Sequence, residues 1–220
     1  MPAFLFDLNG TMVHDMEYQT RAWQRLFNED LGGRFSWDEV KRQMYGKNRE
    51  VLTRVFGPDR FSGEEMDGLG LLKERRYQEE FRLHLQLLPG LPAFLSRARQ
   101  QGIALAIGSA ALPFNIDFVL DNLHLRPYFQ AIVSADDVAV SKPDPAVFLR
   151  CAELLGVPPA ECLVFEDVPK GAEAARNAGM AAVVLTTTHA AREFAHLPNV
   201  RHFAPDFTDA FMRGLVGLNG

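Results

Sequence analysis

Six short apolar runs, set apart by longer amphipathic stretches, restrict the fold of this chain more than any other feature. They are Ala3–Phe6, Ile103–Ile107, Ala131–Val133, Cys162–Phe165, Ala181–Leu185 and Val200–Phe203. Each is too short for a helix and ends in a polar or glycine-containing turn, so each reads as a strand. The stretches Leu91–Gln100, Pro113–Asn122, Pro145–Leu155 and Pro169–Ala178 carry helical patterns instead. Pro145, after Asp144, and Pro169 fall in a first helical turn, where the missing N–H costs little. Strands that are apolar throughout and alternate with helices make a parallel sheet covered on both faces. The expected fold class is α/β.

One segment departs from the alternation. From about Asp15 to His84 the chain shows helical pattern and no strand. Ser36 with Glu39, and Ser62 with Glu65, have the Ser-x-x-Glu spacing of a capping box. Gly32-Gly33, Gly46–Asn48 and Gly57-Pro58 punctuate the helices. A helical domain over 15–85 is therefore inserted directly after the first strand, and the core domain comprises 1–14 and 86–220. The aromatic residues Trp23, Phe27 and Trp37 are expected in the core of the insertion.

Composition narrows the function. Apolar residues make up 47% and charged residues 23%, ordinary for a globular protein, and the net charge of −5 is mild. No basic stripe with interleaved aromatics points to nucleic acid. There is no apolar run of about 18 residues, and the N-terminal stretch lacks a cationic signal region. The expectation is a cytoplasmic monomer or weak dimer that meets neither nucleic acid nor membrane. Cys151 and Cys162 lie in apolar surroundings without metal spacing, as buried thiols do.

In an open parallel sheet, ligands bind beyond the carboxyl ends of the strands. Asp7 follows the first run, and Ser109 follows the second after one glycine. Glu166-Asp167 follow the fourth, and Lys142 precedes a Pro-Asp-Pro helix start soon after the third. Three carboxylates, a hydroxyl and an ammonium are thus aimed at one edge. Phosphate chemistry needs such a set. A carboxylate nucleophile is repelled by a phosphate dianion, so positive charge must offset both. Carboxylates at 7, 166 and 167 suit a hard cation such as Mg2+, and Lys142 adds a fixed charge. Ser109 and neighbouring backbone N–H groups suit the remaining oxygens.

The stretch FDLNGT (Phe6–Thr11) resembles the D-x-D-G-T signature of haloacid dehalogenase-like enzymes. GSA (Gly108–Ala110), SKPDP (Ser141–Pro145) and FEDVPKG (Phe165–Gly171) resemble their second, third and fourth motifs, in order and at family-like spacing. EYQTRAW (Glu17–Trp23) and Gly46–Glu50 resemble the β-phosphoglucomutase and sugar-phosphate phosphatase branch. The resemblance implies a Rossmann-like core and a helical cap that closes over a small phosphorylated metabolite. It implies Asp7 as nucleophile and Mg2+ held by Asp7, Glu166, Asp167 and the backbone carbonyl of Asn9. Ser109 and Lys142 take catalytic roles, with Ala110, Arg49 and Lys73 assigned to substrate. Of the six histidines only His14 is expected near the site, in a structural role.

Two positions depart from the family. Asn9 stands where a second aspartate protonates the leaving oxygen and later activates water. An amide has no titratable proton, and acid–base catalysis typically contributes about 10²–10⁴-fold. The expected enzyme binds metal and phosphate, forms an aspartyl phosphate slowly and hydrolyses it poorly. Gln19 stands where close relatives usually carry histidine, which weakens a mutase reading. Hydrolysis of a sugar or polyol phosphate leads. A β-phosphoglucomutase-type isomerase and a weakened phosphate-binding sensor are alternatives. A dehalogenase attacking carbon needs no metal and would leave Glu166-Asp167 without a use.

Overall fold

The computed structural model describes residues 2–218. The chain divides into two compact units, Met1–His14 with Gln86–Gly220, and Asp15–Leu85. Strand β1 (Ala3–Phe6) leads into four helices of the second unit: α1 (Met16–Arg25), α2 (Trp37–Gln43), α3 (Asn48–Phe56) and α4 (Gly63–Phe81). The first unit then resumes with α5 (Leu91–Gln100), β2 (Ala104–Gly108), α6 (Pro113–Asn122), β3 (Ala131–Val133) and α7 (Ala146–Leu155). It continues through β4 (Cys162–Glu166), α8 (Pro169–Asn177), β5 (Ala181–Leu185), β6 (Val200–Ala204) and α9 (Ala210–Leu215). Among the described residues, no helix is long and apolar enough to cross a membrane.

The helical unit is built by local rules. Ser36 and Ser62 begin α2 and α4 with the expected boxes. The Ser36 N–H donates to Glu39 at 2.8 Å and the Ser62 N–H to Glu65 at 2.7 Å, while each serine hydroxyl accepts the glutamate's backbone N–H. Two otherwise unpaired donors are thereby satisfied at each helix start. The apolar faces meet in a core of Trp23, Leu26, Phe27, Val40, Val51 and Leu52. Phe35, Phe56 and Phe61 extend it, with Phe27 edge-on to Phe56 at 5.4 Å. Trp37 differs from expectation: it is only half-buried, at the first position of α2.

In the first unit the six strands form one sheet in the order β3-β2-β1-β4-β5-β6, with every neighbouring pair parallel. β2 begins one residue later than its apolar run suggests, and β4 and β6 each extend one residue further. Helix α7 begins at Ala146 rather than Pro145, with the Asp144 carboxylate accepting the Ala146 N–H at 2.9 Å.

Side chains alternate across a strand, and β1 uses both faces. Ala3 and Leu5 join Ala106, Val164, Phe148, Cys151 and Ala175 on one side of the sheet. Phe4 and Phe6 enter an aromatic cluster with Phe94, Phe165 and Phe207. Phe6 stacks on Phe165 at 4.7 Å, and Phe94 lies 5.6 Å from Phe4 and 5.1 Å from Phe207. Such ring pairs add about 0.5–1.5 kcal/mol each beyond the area they bury. The pairing of Phe6 with Ile107 and Phe165 fixes the register of the three central strands. Residues just past them therefore emerge at one edge. Phe94→Ala removes the ring common to four of these contacts. It is expected to destabilise the first unit by about 3–5 kcal/mol, read as a lowered urea midpoint.

Candidate active site

At the carboxyl edge of the central strands, the backbone is anchored before any side chain acts. The Asp7 N–H donates to the Phe165 carbonyl at 2.9 Å, so the ladder between β1 and β4 continues one residue past β1. The chain then turns tightly. Gly10 adopts φ +78°, open to glycine at little cost. Its N–H donates to the Val13 carbonyl at 2.8 Å, and its carbonyl accepts the Thr187 hydroxyl at 2.5 Å. Asn9 lies half-buried within this turn.

Asp7, Glu166 and Asp167 are all buried, and their ligand oxygens lie within 4.8 Å of one another. Lys142 connects two of them, with Nζ 2.7 Å from Asp7 Oδ1 and 2.6 Å from Glu166 Oε1. The ammonium also sits 4.7 Å from the centre of the Phe148 ring, a favourable cation–π arrangement. Burial alone would drive Lys142 to shed its proton, but the charges of Asp7 and Glu166 outweigh burial and raise its pKa above the ordinary lysine value.

Glu166 is the last residue of β4 and is fully enclosed. Its second oxygen accepts the backbone N–H groups of Asp167 at 2.9 Å and Val168 at 3.2 Å, where the chain enters α8. A helix N-terminus favours such a charge. Gly171, in the first turn of α8, leaves the necessary space, since a Cβ there would collide with the Glu166 carboxylate. Gly10 does the same for Asp167.

Asp167 is held by hydroxyls. Thr11 donates to Oδ1 at 3.1 Å and Thr188 to Oδ2 at 2.6 Å. Burial first, then the charges of Glu166 and Asp7, push its carboxyl well above the usual carboxylate range, and the two threonines only partly offset this. Three buried carboxylates thus face one ammonium. Their all-oxygen donor set and deficit of positive charge fit a hard divalent cation such as Mg2+.

The remaining expected residues divide. Ser109 is buried just past β2. Its N–H is spent on the Val133 carbonyl at 3.0 Å, while its hydroxyl accepts the Ala111 N–H at 3.1 Å. The hydroxyl hydrogen remains available to an anion. Ala110 follows it, half-buried. In the helical unit, Arg49 is exposed and forms a two-pronged ion pair with Asp67. The charged sequence around Lys73 suggests a solvated face, but Lys73 is buried. Its Nζ lies 2.6 Å from Gln19 and 2.8 Å from Glu74, and 5.0 Å from the Trp23 ring. A buried ammonium requires such partners.

Sequence reasoning missed the segment after β5. Thr187 secures the turn after β1, Thr188 holds Asp167, and His189 Nδ1 lies 3.0 Å from the Thr188 hydroxyl. His14 is exposed, so the histidine joined to this hydrogen-bonded group is His189. The rule that located Asp7 and Ser109, reading past each strand end, applied to Ala181–Leu185 as well and would have found these residues.

Known proteins resemble this chain over most of its length. The model of the haloacid dehalogenase-like hydrolase family matches residues 1–179. The β-phosphoglucomutase of Bacillus subtilis is 32% identical over 190 residues, 83% of this chain and 82% of that protein. The fructose-1-phosphate phosphatase of Escherichia coli is 30% identical over 182 residues, 81% of this chain and 93% of that protein. A crystal structure of mutant CbbY from Rhodobacter sphaeroides, in complex with xylulose-(1,5)bisphosphate, superposes with a TM-score of 0.81 at 25% identity. That match covers 95% of this chain and 96% of the other. A buried acidic cluster joined by one lysine on an α/β parallel sheet, and a family match over most of the length, lead to one assignment: this chain is an enzyme belonging to the haloacid dehalogenase-like hydrolase family.

Proposed function

We propose that the enzyme hydrolyses small phosphate esters of sugars or polyols with Mg2+, through an aspartyl phosphate on Asp7. The observation that carries this reading is the convergence of Asp7, Glu166 and Asp167 on one point with Lys142 bridging two of them. The sugar-phosphate class is supported by relatives named for such substrates at 30% identity or more.

A carboxylate oxygen of Asp7 attacks phosphorus while the bond to the ester oxygen breaks, and the departing alkoxide takes a proton. Water then attacks the phosphoryl group, releasing phosphate and restoring Asp7. Lys142 holds Asp7 in line and offsets charge on the transferring group, while the Ser109 hydroxyl and the Ala110 backbone bind phosphoryl oxygens. Asp7, Glu166, Asp167 and the Asn9 backbone carbonyl would hold Mg2+, which would add positive charge against those oxygens. The helical insertion is read as the cap. Arg49, exposed and paired with Asp67, is assigned to a second anionic group of the substrate, and Lys73 is also assigned to substrate.

Asn9 sets the rate. With no titratable proton there, the leaving alkoxide must be protonated by solvent or by substrate. Asn9→Asp is therefore expected to raise sugar-phosphate turnover by about 10²–10⁴-fold. The gain should be smaller on p-nitrophenyl phosphate, whose leaving group needs little protonation. Phosphate release across a panel of phosphorylated metabolites, with intact-mass detection of a phosphoryl adduct, measures this. Absence of both adduct and turnover in Asn9→Asp would reject the reading. Bisphosphate-dependent isomerisation of a hexose 1-phosphate would instead identify a phosphomutase.

Asp167 permits a test that needs no substrate. Its carboxyl is raised in the folded protein, so without metal it supports folding only in acid, and opposes folding once pH exceeds its unfolded value. At neutral pH, metal-free Asp167→Asn is expected to melt no lower than the wild type. Wild type should gain thermal stability on adding Mg2+, and the variant should lose that gain. Calorimetric melting with and without Mg2+ reads both.

A further inference from the structure

The Thr188 hydroxyl has one hydrogen and three acceptors near it. Asp167 Oδ2 lies at 2.6 Å, the Asp167 backbone oxygen at 2.9 Å and His189 Nδ1 at 3.0 Å. An ionised carboxylate, as a cation ligand must be, can only accept, and O–H···O⁻ bonds are the short, strong ones. The hydrogen therefore belongs to Asp167. A bare Nδ1 would then point a lone pair at the lone pairs of Thr188 Oγ1, so Nδ1 must carry hydrogen and donate. The His189 ring is edge-on to buried Phe194 at 6.4 Å, which helps to fix its plane.

We infer that Thr188 is a positioning residue that locks the Asp167 carboxylate for cation binding, and that His189 orients the Thr188 hydroxyl by donating to it from Nδ1. The torsion of a carboxylate about its last bond is soft, so an aspartate pinned through one oxygen can still swing. Thr11 and Thr188 each take one oxygen, and the swing is closed off. The segment after β5 thereby acts on the site twice, since Thr187 also holds the Gly10 carbonyl.

This inference rests on the reading of Asp167 as a cation ligand. Titration of Mg2+ into metal-free protein by calorimetry tests it with Thr188→Val and Thr188→Ser. Valine keeps the shape and removes the hydroxyl; serine keeps the hydroxyl. Loss of a group that orients a ligand typically weakens metal binding about 10–100-fold. Thr188→Val is expected to show that loss, with serine restoring near-wild-type affinity and metal-free melting temperatures nearly unchanged. In wild-type protein loaded with Mg2+, ¹⁵N NMR should find His189 protonated on Nδ1, and that measurement stands even if the valine variant folds badly. Equal Mg2+ affinity of wild type and Thr188→Val, or a bare Nδ1 in wild type, would overturn the inference alone. A wild type that binds no Mg2+ would overturn it together with the proposed function.

Discussion

Mutual repulsion of three enclosed carboxylates governs the architecture around it. Moving an ionised carboxylate out of water costs several kcal/mol even after the protein relaxes, and like charges nearby add to that cost. Lys142 offsets part of it through ion pairs to Asp7 and Glu166. Backbone donors take a further share at Glu166, and hydroxyls at Asp167. The apportionment is unequal. Glu166 receives the lysine, two amides and a helix start, whereas Asp167 receives two neutral hydroxyls. Burial, with the charges of Glu166 and Asp7 beside it, pushes the Asp167 carboxyl upward. Crowded carboxylates with unequal support are a costly arrangement of the kind that functional sites commonly keep.

That cost is borne by a frame with little freedom to yield. The three carboxylates come from only two strand ends, which are hydrogen-bonded neighbours in the middle of the sheet. Phe6 and Phe165, immediately before Asp7 and Glu166 in the chain, stack face to face. Separating the acids would mean parting these rings and breaking the bond from Asp7 N–H to the Phe165 carbonyl. Glycines at 10 and 171 then admit the carboxylates where a Cβ would exclude them. The central sheet resists the repulsion because the residues next to the acids in the chain are themselves paired and packed.

The sheet was legible in the sequence because its signal is local: buried parallel strands read as continuous apolar runs, and β1, β3 and β5 coincide with theirs. The acidic cluster was legible for a topological reason, as residues past adjacent parallel strand ends must meet. What escaped depended on partners distant in the chain. Nothing near Arg49 announces Asp67, eighteen positions on. The charged neighbours KERRYQEE give no sign that Lys73 is buried, although the periodicity does. Gly70, Lys73, Glu74, Tyr77, Gln78 and Phe81 form one buried stripe along α4 at helical spacing, and Lys73 lies one turn before Tyr77 on it. Charge content described the helix on average, whereas burial is decided position by position.

Asn9 separates two properties that usually travel together. The backbone of its turn is held by the Gly10 N–H on the Val13 carbonyl and by the Thr187 hydroxyl on the Gly10 carbonyl. Aspartate and asparagine have nearly the same shape but differ in charge, and only aspartate has a titratable proton to supply. Under the proposed function, metal and phosphate are held by Asp7, Glu166, Asp167, Lys142 and the main chain, and the side chain of residue 9 acts on proton transfer, with the largest effect on esters whose leaving groups are most basic.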